Sequence, residues 1–270
     1  MLDMKESRYR EVRALTRGLD LLAALNRNPD GRSTITELAQ ATGIHRTTVR
    51  RLLQTLLNAG YVKSSASNGD YYVTLQVRNL SSGFTDREWI SAIATPAMDK
   101  LQEKIKWPSD LTTLDGAYML IRESTHGLSP LSFSRGMVGQ RMPVLLTASG
   151  RVYLAACSES EQREVIKLAK ADGGPQAALA QNLRLVNDMI AQVRRRGYGV
   201  NEGDWHKDSR TGVIALPIVH RGNPVACLNV IYARRAMNHE QAVREYLSAL
   251  RETIQEIEEK LHANPTVLAR

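Results

Sequence analysis

The chain has 270 residues, of which 43% are hydrophobic and 24% charged, a composition that excludes a disordered or fibrous polymer. Its longest apolar run, seven residues from Val213 to Val219, holds Pro217 and falls far short of the ~20 residues of a membrane-spanning helix. The net charge of +8 is uneven: residues 1–80 carry 12 Lys and Arg against seven Asp and Glu, and no acid lies between Glu37 and Asp70.

This bias suits a polyanion, with nucleic acid first and an anionic membrane surface second. Met1–Glu6 lacks the basic and apolar regions of a secretory signal. Cys157 and Cys227, 70 residues apart in apolar settings, read as reduced, packed thiols of a cytoplasmic protein. The length predicts about two domains.

A first helix is predicted over 12–26, with Leu15, Leu19, Leu22 and Ala23 at helical spacing, stopped by Asn28-Pro29-Asp30-Gly31. Ser33 or Thr34 caps a short second helix, 35–41, which buries Ile35, Leu38 and Ala39. Gly43 marks a tight turn. A third helix, 45–58, places Val49, Leu52, Leu53, Leu56 and Leu57 in one apolar stripe.

At 100° per residue, Thr47, Arg51 and Gln54 project opposite that stripe. Arg50 lies on one flank and Thr48 on the other, and Arg46 sits in the first turn, where phosphate is favoured. This is helix-turn-helix geometry. Arg can read guanine O6/N7 and Gln adenine N6/N7. Two short strands about Tyr61–Lys63 and Tyr71–Leu75, joined through Ser67-Asn68-Gly69-Asp70, then form the wing, with Lys63 and Asn68 placed to touch the DNA backbone. The competing reading is a three-helix docking module that touches no DNA.

The wing is followed by a short helix, 78–84, and a longer one capped by Asp86, whose apolar face is Trp89, Ile90, Ile93, Met98, Leu101 and Ile105. The predicted organisation is a winged helix-turn-helix over 9–77, a helical linker over 78–107 and a second domain over 108–265. That second domain is predicted as α+β on an antiparallel sheet. Strands are expected at 110–114, 118–122, 130–134, 211–219 and 224–232, with a loop over 136–141. Helices are expected at 151–157, 160–171, 180–196 and 238–262.

Catalytic signals are weak. Six histidines form no metal-ligand pair, Thr147-Ala148-Ser149-Gly150 is not a nucleophile elbow, and Gly197-Tyr198-Gly199 with Gly203 misses the dinucleotide fingerprint by one residue. No cofactor and no enzyme activity are expected; the domain reads as a sensor. The alternative is an enzyme or carrier with an N-terminal assembly module.

The chain resembles the IclR family of bacterial transcriptional regulators. The resemblance rests on Leu15-Thr16-Arg17-Gly18-Leu19-Asp20-Leu21-Leu22, Gly43–Leu53 and Ala59-Gly60-Tyr61-Val62. It continues through Arg141-Met142-Pro143, Thr147–Gly150 and Arg196-Gly197-Tyr198-Gly199. Within the family, Gly83-Phe84, Trp89–Ala92, Trp107–Asp110, Leu131–Phe133 and Cys227–Tyr232 resemble the activators of 3-(3-hydroxyphenyl)propionate catabolism.

The resemblance implies a GAF-like effector domain, a dimer or tetramer, double-stranded operator DNA as partner, RNA polymerase as a further one, and a small aromatic carboxylic acid as effector. It maps the effector site onto Met142, Ala148, Ser149, Asn201, Val213, Asn229 and Ile231. Asn201 replaces the family's acid and Ile231 its small polar residue, which suits a larger aromatic acid. Arg135 is the expected partner of the ligand carboxylate and Arg141 the second choice; both are also readable as surface arginines.

Overall fold

In the computed structural model the described residues are 11–28, 31–65, 69–74, 76–80, 89–132, 134–201 and 210–264. They divide into two compact units: the chain up to residue 85 with residues 134–136, and the remainder from residue 86 onward.

In the first unit, α1 (Arg13–Arg27) packs on α2 (Ile35–Thr42) and α3 (Arg46–Asn58). The buried side chains of α1 are Leu21, Leu22 and Leu25, while Leu15 and Leu19 are exposed, which corrects the face expected from their spacing. All the buried positions lie in its second half.

Thr34, not Ser33, caps α2. Its hydroxyl accepts from the Glu37 N–H at 3.3 Å, and the Glu37 carboxylate accepts from the Thr34 N–H at 2.8 Å, a reciprocal pair. Gly43 follows α2 at φ +68°, which a Cβ would resist. A three-stranded sheet, β1 (Arg32–Ser33), β3 (Tyr71–Val73), β2 (Val62–Ser64) in that order, completes the winged helix-turn-helix. Leu21, Leu25, Leu38, Val49, Leu53 and Val62 form its core. Of the stretch expected as helix 78–84, α4 (Gln76–Asn79) is described; residues 81–88, with Asp86, lie outside the described residues.

In the second unit a π-type turn (Ile90–Ala94) runs into α5 (Thr95–Ile105). The Thr95 N–H donates to the Ile90 carbonyl five residues back, immediately before Pro96, which has no N–H to give. This stretch, expected as a linker, packs inside the second unit: Trp89, Ile90, Met98, Leu101 and Ile105 share one core with Leu250, Ile254 and Ile257.

Six antiparallel strands follow in the order β6-β5-β4-β9-β8-β7: β4 (Asp110–Asp115), β5 (Tyr118–Ser124), β6 (Arg141–Pro143), β7 (Gly199–Asn201), β8 (Thr211–His220) and β9 (Asn223–Ala233). Arg221 and Gly222, at φ 52° and 80°, make the two-residue β8–β9 turn. One sheet face carries α5 and α10 (His239–Ala263); the other carries α6 (Ala148–Ala156), α7 (Glu159–Ala171), α8 (Ala177–Gln181) and α9 (Leu183–Arg196).

Four expectations are corrected. The described part of 130–134 is not a strand, and the edge beside β5 is taken by β6, within the stretch read as a loop and its exit. β7 was not expected. The helix 180–196 is broken at Asn182, whose side chain accepts from the Leu185 N–H at 3.2 Å and starts α9 anew. α6 begins three residues early because Thr147 caps it, accepting from the Gly150 N–H at 3.2 Å.

Candidate nucleic-acid and ligand sites

On α3, Val49 and Leu53 are buried, so the helix turns Arg46, Thr47, Arg50, Arg51 and Gln54 to solvent and leaves Thr48 half-buried. The His45 Nδ1 accepts from the Thr47 N–H and caps the helix. Among the described residues no carboxylate engages Arg46, Arg50 or Arg51, so these cations are available to a polyanion. The Gln54 amide donates to Asn58 Oδ1 at 3.0 Å and must release it to read a base.

The wing adds a residue that sequence reasoning missed. Across β1-β3-β2, Arg32, Tyr72 and Lys63 stand in one row, and the Arg32 guanidinium lies 5.3 Å from the Tyr72 ring centroid. The alternate residues Tyr71, Val73 and Val62 pack into the core, so this row faces outward. Strand parity could have placed Arg32 there had β1 been recognised in two residues. Asn68 lies outside the described residues.

In the second unit, strand register gathers most of the expected ligand residues. Asn201, Val213 and Ile231 form a row across β7, β8 and β9, beside a second row of Gly199, Ala215 and Asn229. α6 covers this face. A Cβ on Gly199 would meet the Ala148 carbonyl oxygen at 2.6 Å, and one on Gly150 would overlap the Val144 carbonyl, so both glycines permit the close approach. Arg151 ties α6 to its neighbours, donating to the Leu145 carbonyl at 3.0 Å and the Val200 carbonyl at 3.2 Å.

Ser149 and Asn229 are both buried, and the Asn229 amide donates to Ser149 Oγ at 3.3 Å. Asn201 donates to the Leu146 carbonyl. The start of α6 brings N–H groups to the same place, where a helix favours an anion. Cys227, next along β9 on this face, is fully buried, and burial pushes its thiol above the usual range, so it packs rather than reacts. Burial likewise pushes Cys157 up to about 11.

Three expected residues stand elsewhere. Met142 shares the face but lies on β6 beside Met119, with β5 and β4 between it and Asn229. Arg141 alternates with Met142 and so points to the other side, where it pairs with Asp115 at 2.8 Å and stacks 4.5 Å from the Tyr118 ring centroid. Arg135 is exposed, and residues 134–136 group with the first unit. Sequence reasoning gave no role to Asp110, a buried residue whose N–H meets Asn229, or to His126, buried near Asp110. The sequence of β4, with Thr112, Thr113 and Asp115 as well as Asp110, gave no signal that singled this acid out.

A model of the IclR helix-turn-helix domain matches residues 14–66, and one of the bacterial transcriptional regulator IclR C-terminal domain matches residues 83–259. The chain belongs to the IclR family of transcriptional regulators. Members of this family are DNA-binding regulators rather than enzymes, and so is this chain.

The IclR-family regulator is 27% identical over 221 residues to the acetate operon repressor of Salmonella typhimurium, covering 82% of this chain and 80% of the repressor. It is 29% identical over 224 residues to the Pca regulon regulatory protein of Pseudomonas putida, covering 80% of this chain and 73% of that protein. Its fold matches a Thermotoga maritima IclR at TM-score 0.62 and 23% identity, covering 93% of this chain and 99% of that one. It also matches an IclR homologue from Microbacterium hydrocarbonoxydans complexed with 4-hydroxybenzoate, at TM-score 0.57 and 20% identity, covering 93% of this chain and all of that one.

Among the described residues no helix is long and apolar enough to cross a membrane, and no group of His, Cys, Asp and Glu is placed to hold a metal ion.

Proposed function

We propose that this regulator controls an aromatic-acid catabolic operon from the cytoplasm, acting as an activator. Its second unit takes a small phenolic or phenylpropanoid acid, of which 3-(3-hydroxyphenyl)propionate is the leading candidate. The observation that carries this reading is the buried Ser149–Asn229 contact at the start of α6, flanked by the Val213–Ile231 pair. N–H groups and a buried amide suit a carboxylate, and the aliphatic row suits a ring.

The absence of an acid at Asn201 favours the same ligand, since a second carboxylate would repel it. The Pca regulon relative and the fold's accommodation of 4-hydroxybenzoate in the Microbacterium protein agree with an aromatic acid. Effector binding shifts the population of arrangements in which recognition helices meet the operator. Arg46, Thr47, Thr48, Arg50, Arg51, Gln54 and Lys63 contact operator DNA, and RNA polymerase is a further partner.

A dimer or tetramer is the working unit. The exposed row of Val12, just before α1, with Leu15 and Leu19 on it supports self-association of the first unit, because such a row is costly to leave in water.

The acetate operon repressor among the relatives favours a second reading, a repressor answering to another small organic acid. Fluorescence anisotropy on the regulator's own upstream DNA, at fixed salt with unrelated DNA as control, separates the readings. Specific binding shifted by 3-(3-hydroxyphenyl)propionate supports the first. Specific binding shifted by acetate or pyruvate and not by the aromatic acid supports the second. No specific binding removes both.

A further inference from the structure

Asp110 opens β4 with 2% of its surface exposed, and among the described residues its Oδ1 has no hydrogen-bond partner. A buried carboxylate oxygen without a donor is costly, and proteins keep such groups paired or neutral. His126, also buried, places Nε2 3.7 Å from that oxygen, beyond hydrogen-bond reach, while its Nδ1 is engaged with Ser132 Oγ at 2.6 Å.

The Asp110 backbone is held in place: its N–H donates to Asn229 Oδ1 at 2.9 Å, and the same Asn229 side chain reaches Ser149. Strand alternation sets Asp110 and Thr112 on the face of Cys227, Asn229 and Ile231, the face that α6 covers. The bare oxygen therefore lies one strand from the proposed effector row, on its side of the sheet.

We propose that Asp110 is the residue that recognises a hydroxyl group on the effector, accepting its O–H at Oδ1. The effector is then an organic acid carrying a separate hydroxyl, and not its unhydroxylated parent. Like charge keeps the ligand's own carboxylate away from Asp110 and turns it toward the N–H groups of α6, so the two polar ends fix one orientation. This inference rests on the effector reading above.

The test is calorimetry on the full chain with matched acids: 3-(3-hydroxyphenyl)propionate against 3-phenylpropionate and the 3-methoxy ether, and 4-hydroxybenzoate against benzoate. At least one hydroxylated acid should bind about tenfold or more tighter than its parent, because a site built for a hydroxyl rejects the analogue lacking it. The ether, which accepts but cannot donate, should bind no better than the parent.

Asp110→Asn should reduce the preference to about threefold or less, leave the parent's affinity nearly unchanged, and raise the melting temperature of the ligand-free protein, because an amide costs less to bury than a carboxylate. Equal binding of hydroxylated and parent acids by the wild type overturns the inference and leaves the effector reading standing, and needs no variant to fold. An unaltered preference in Asp110→Asn does the same. If none of the acids binds, the effector reading and the inference both fall.

Discussion

Asn229 and Ser149 meet under the first turn of α6, with the Asn229 amide donating to Ser149 Oγ at 3.3 Å and its carbonyl accepting from the Asp110 N–H at 2.9 Å. One side chain thus ties the helix start to two neighbouring strands. That buried bond holds this corner together.

Asn229→Ala leaves Ser149 Oγ and the Asp110 N–H without these partners in a buried setting. Unsatisfied buried groups cost about 1–3 kcal/mol each, so urea unfolding should show a loss of unfolding free energy of that order, read as a lower midpoint with little change in slope. Asn229→Asp keeps the acceptor but brings a second carboxylate beside Asp110, and should weaken any acidic ligand further than Asn229→Ala does.

Arg51→Ala should weaken operator binding by about 1–3 kcal/mol and relax sequence preference if the guanidinium reads a base. Competition anisotropy with operators altered at single positions gives the answer. An equal loss on all sequences would assign Arg51 to phosphate instead.

Arg32 is held over Tyr72 in the outward row of the wing. As a phosphate contact its removal should weaken all duplexes about equally and lower the salt slope by about one. An unchanged slope for Arg32→Ala would take the wing's first strand out of the interface.

Gly199→Ala forces a methyl against the Ala148 carbonyl and Val152. The backbone of α6 has no flexible end to yield, so the helix must lift from β7. Overpacking of this kind costs about 1–3 kcal/mol, and the ligand response should fall along with thermal stability. Normal melting with normal ligand response would show that α6 can shift freely.

Tyr153 is buried in α6, and its hydroxyl donates to Glu161 at 2.7 Å. Burial first and the Glu161 bond second push its phenol above the usual value of about 10. The folded state therefore holds the proton more tightly than the unfolded chain. That stability is fully present below pH ~10 and is lost as the pH rises above it, at up to about 1.4 kcal/mol per pH unit. Tyr153→Phe should flatten the alkaline limb of the melting profile.

The first unit was largely legible in the sequence because its determinants are local. A capping residue, a turn glycine and an apolar stripe each act within one or two turns of helix, so α2, α3 and the outer face with Arg46, Arg50 and Arg51 follow from spacing alone. The misses in this unit lie where length beyond the element mattered. The spacing of Leu15 and Leu19 is helical, yet spacing alone does not say which turns of a helix its neighbours cover, and both are exposed. The two-residue β1 carries too little pattern to be seen without its partner β3.

The second unit divides differently. The long β8–β9 hairpin and the amphipathic α10 were readable, because each is many residues long and closed by its own turn or cap. The edge strands β6 and β7, three residues each, are strands only because a neighbour offers its open hydrogen-bonding side.

Sequence alone therefore determined the helix-turn-helix, the cationic face of α3 and the class of the second unit, since propensity, capping and periodicity are properties of short segments. Only the tertiary structure decided that Met142 and Arg141 stand apart from Asn229, and that Asp110 lies beside it with an oxygen that has no hydrogen-bond partner among the described residues. Register and strand order set those distances. The pairing that brings Asp110 to Asn229, β4 with β9, joins segments more than a hundred residues apart, for which no single segment carries the information.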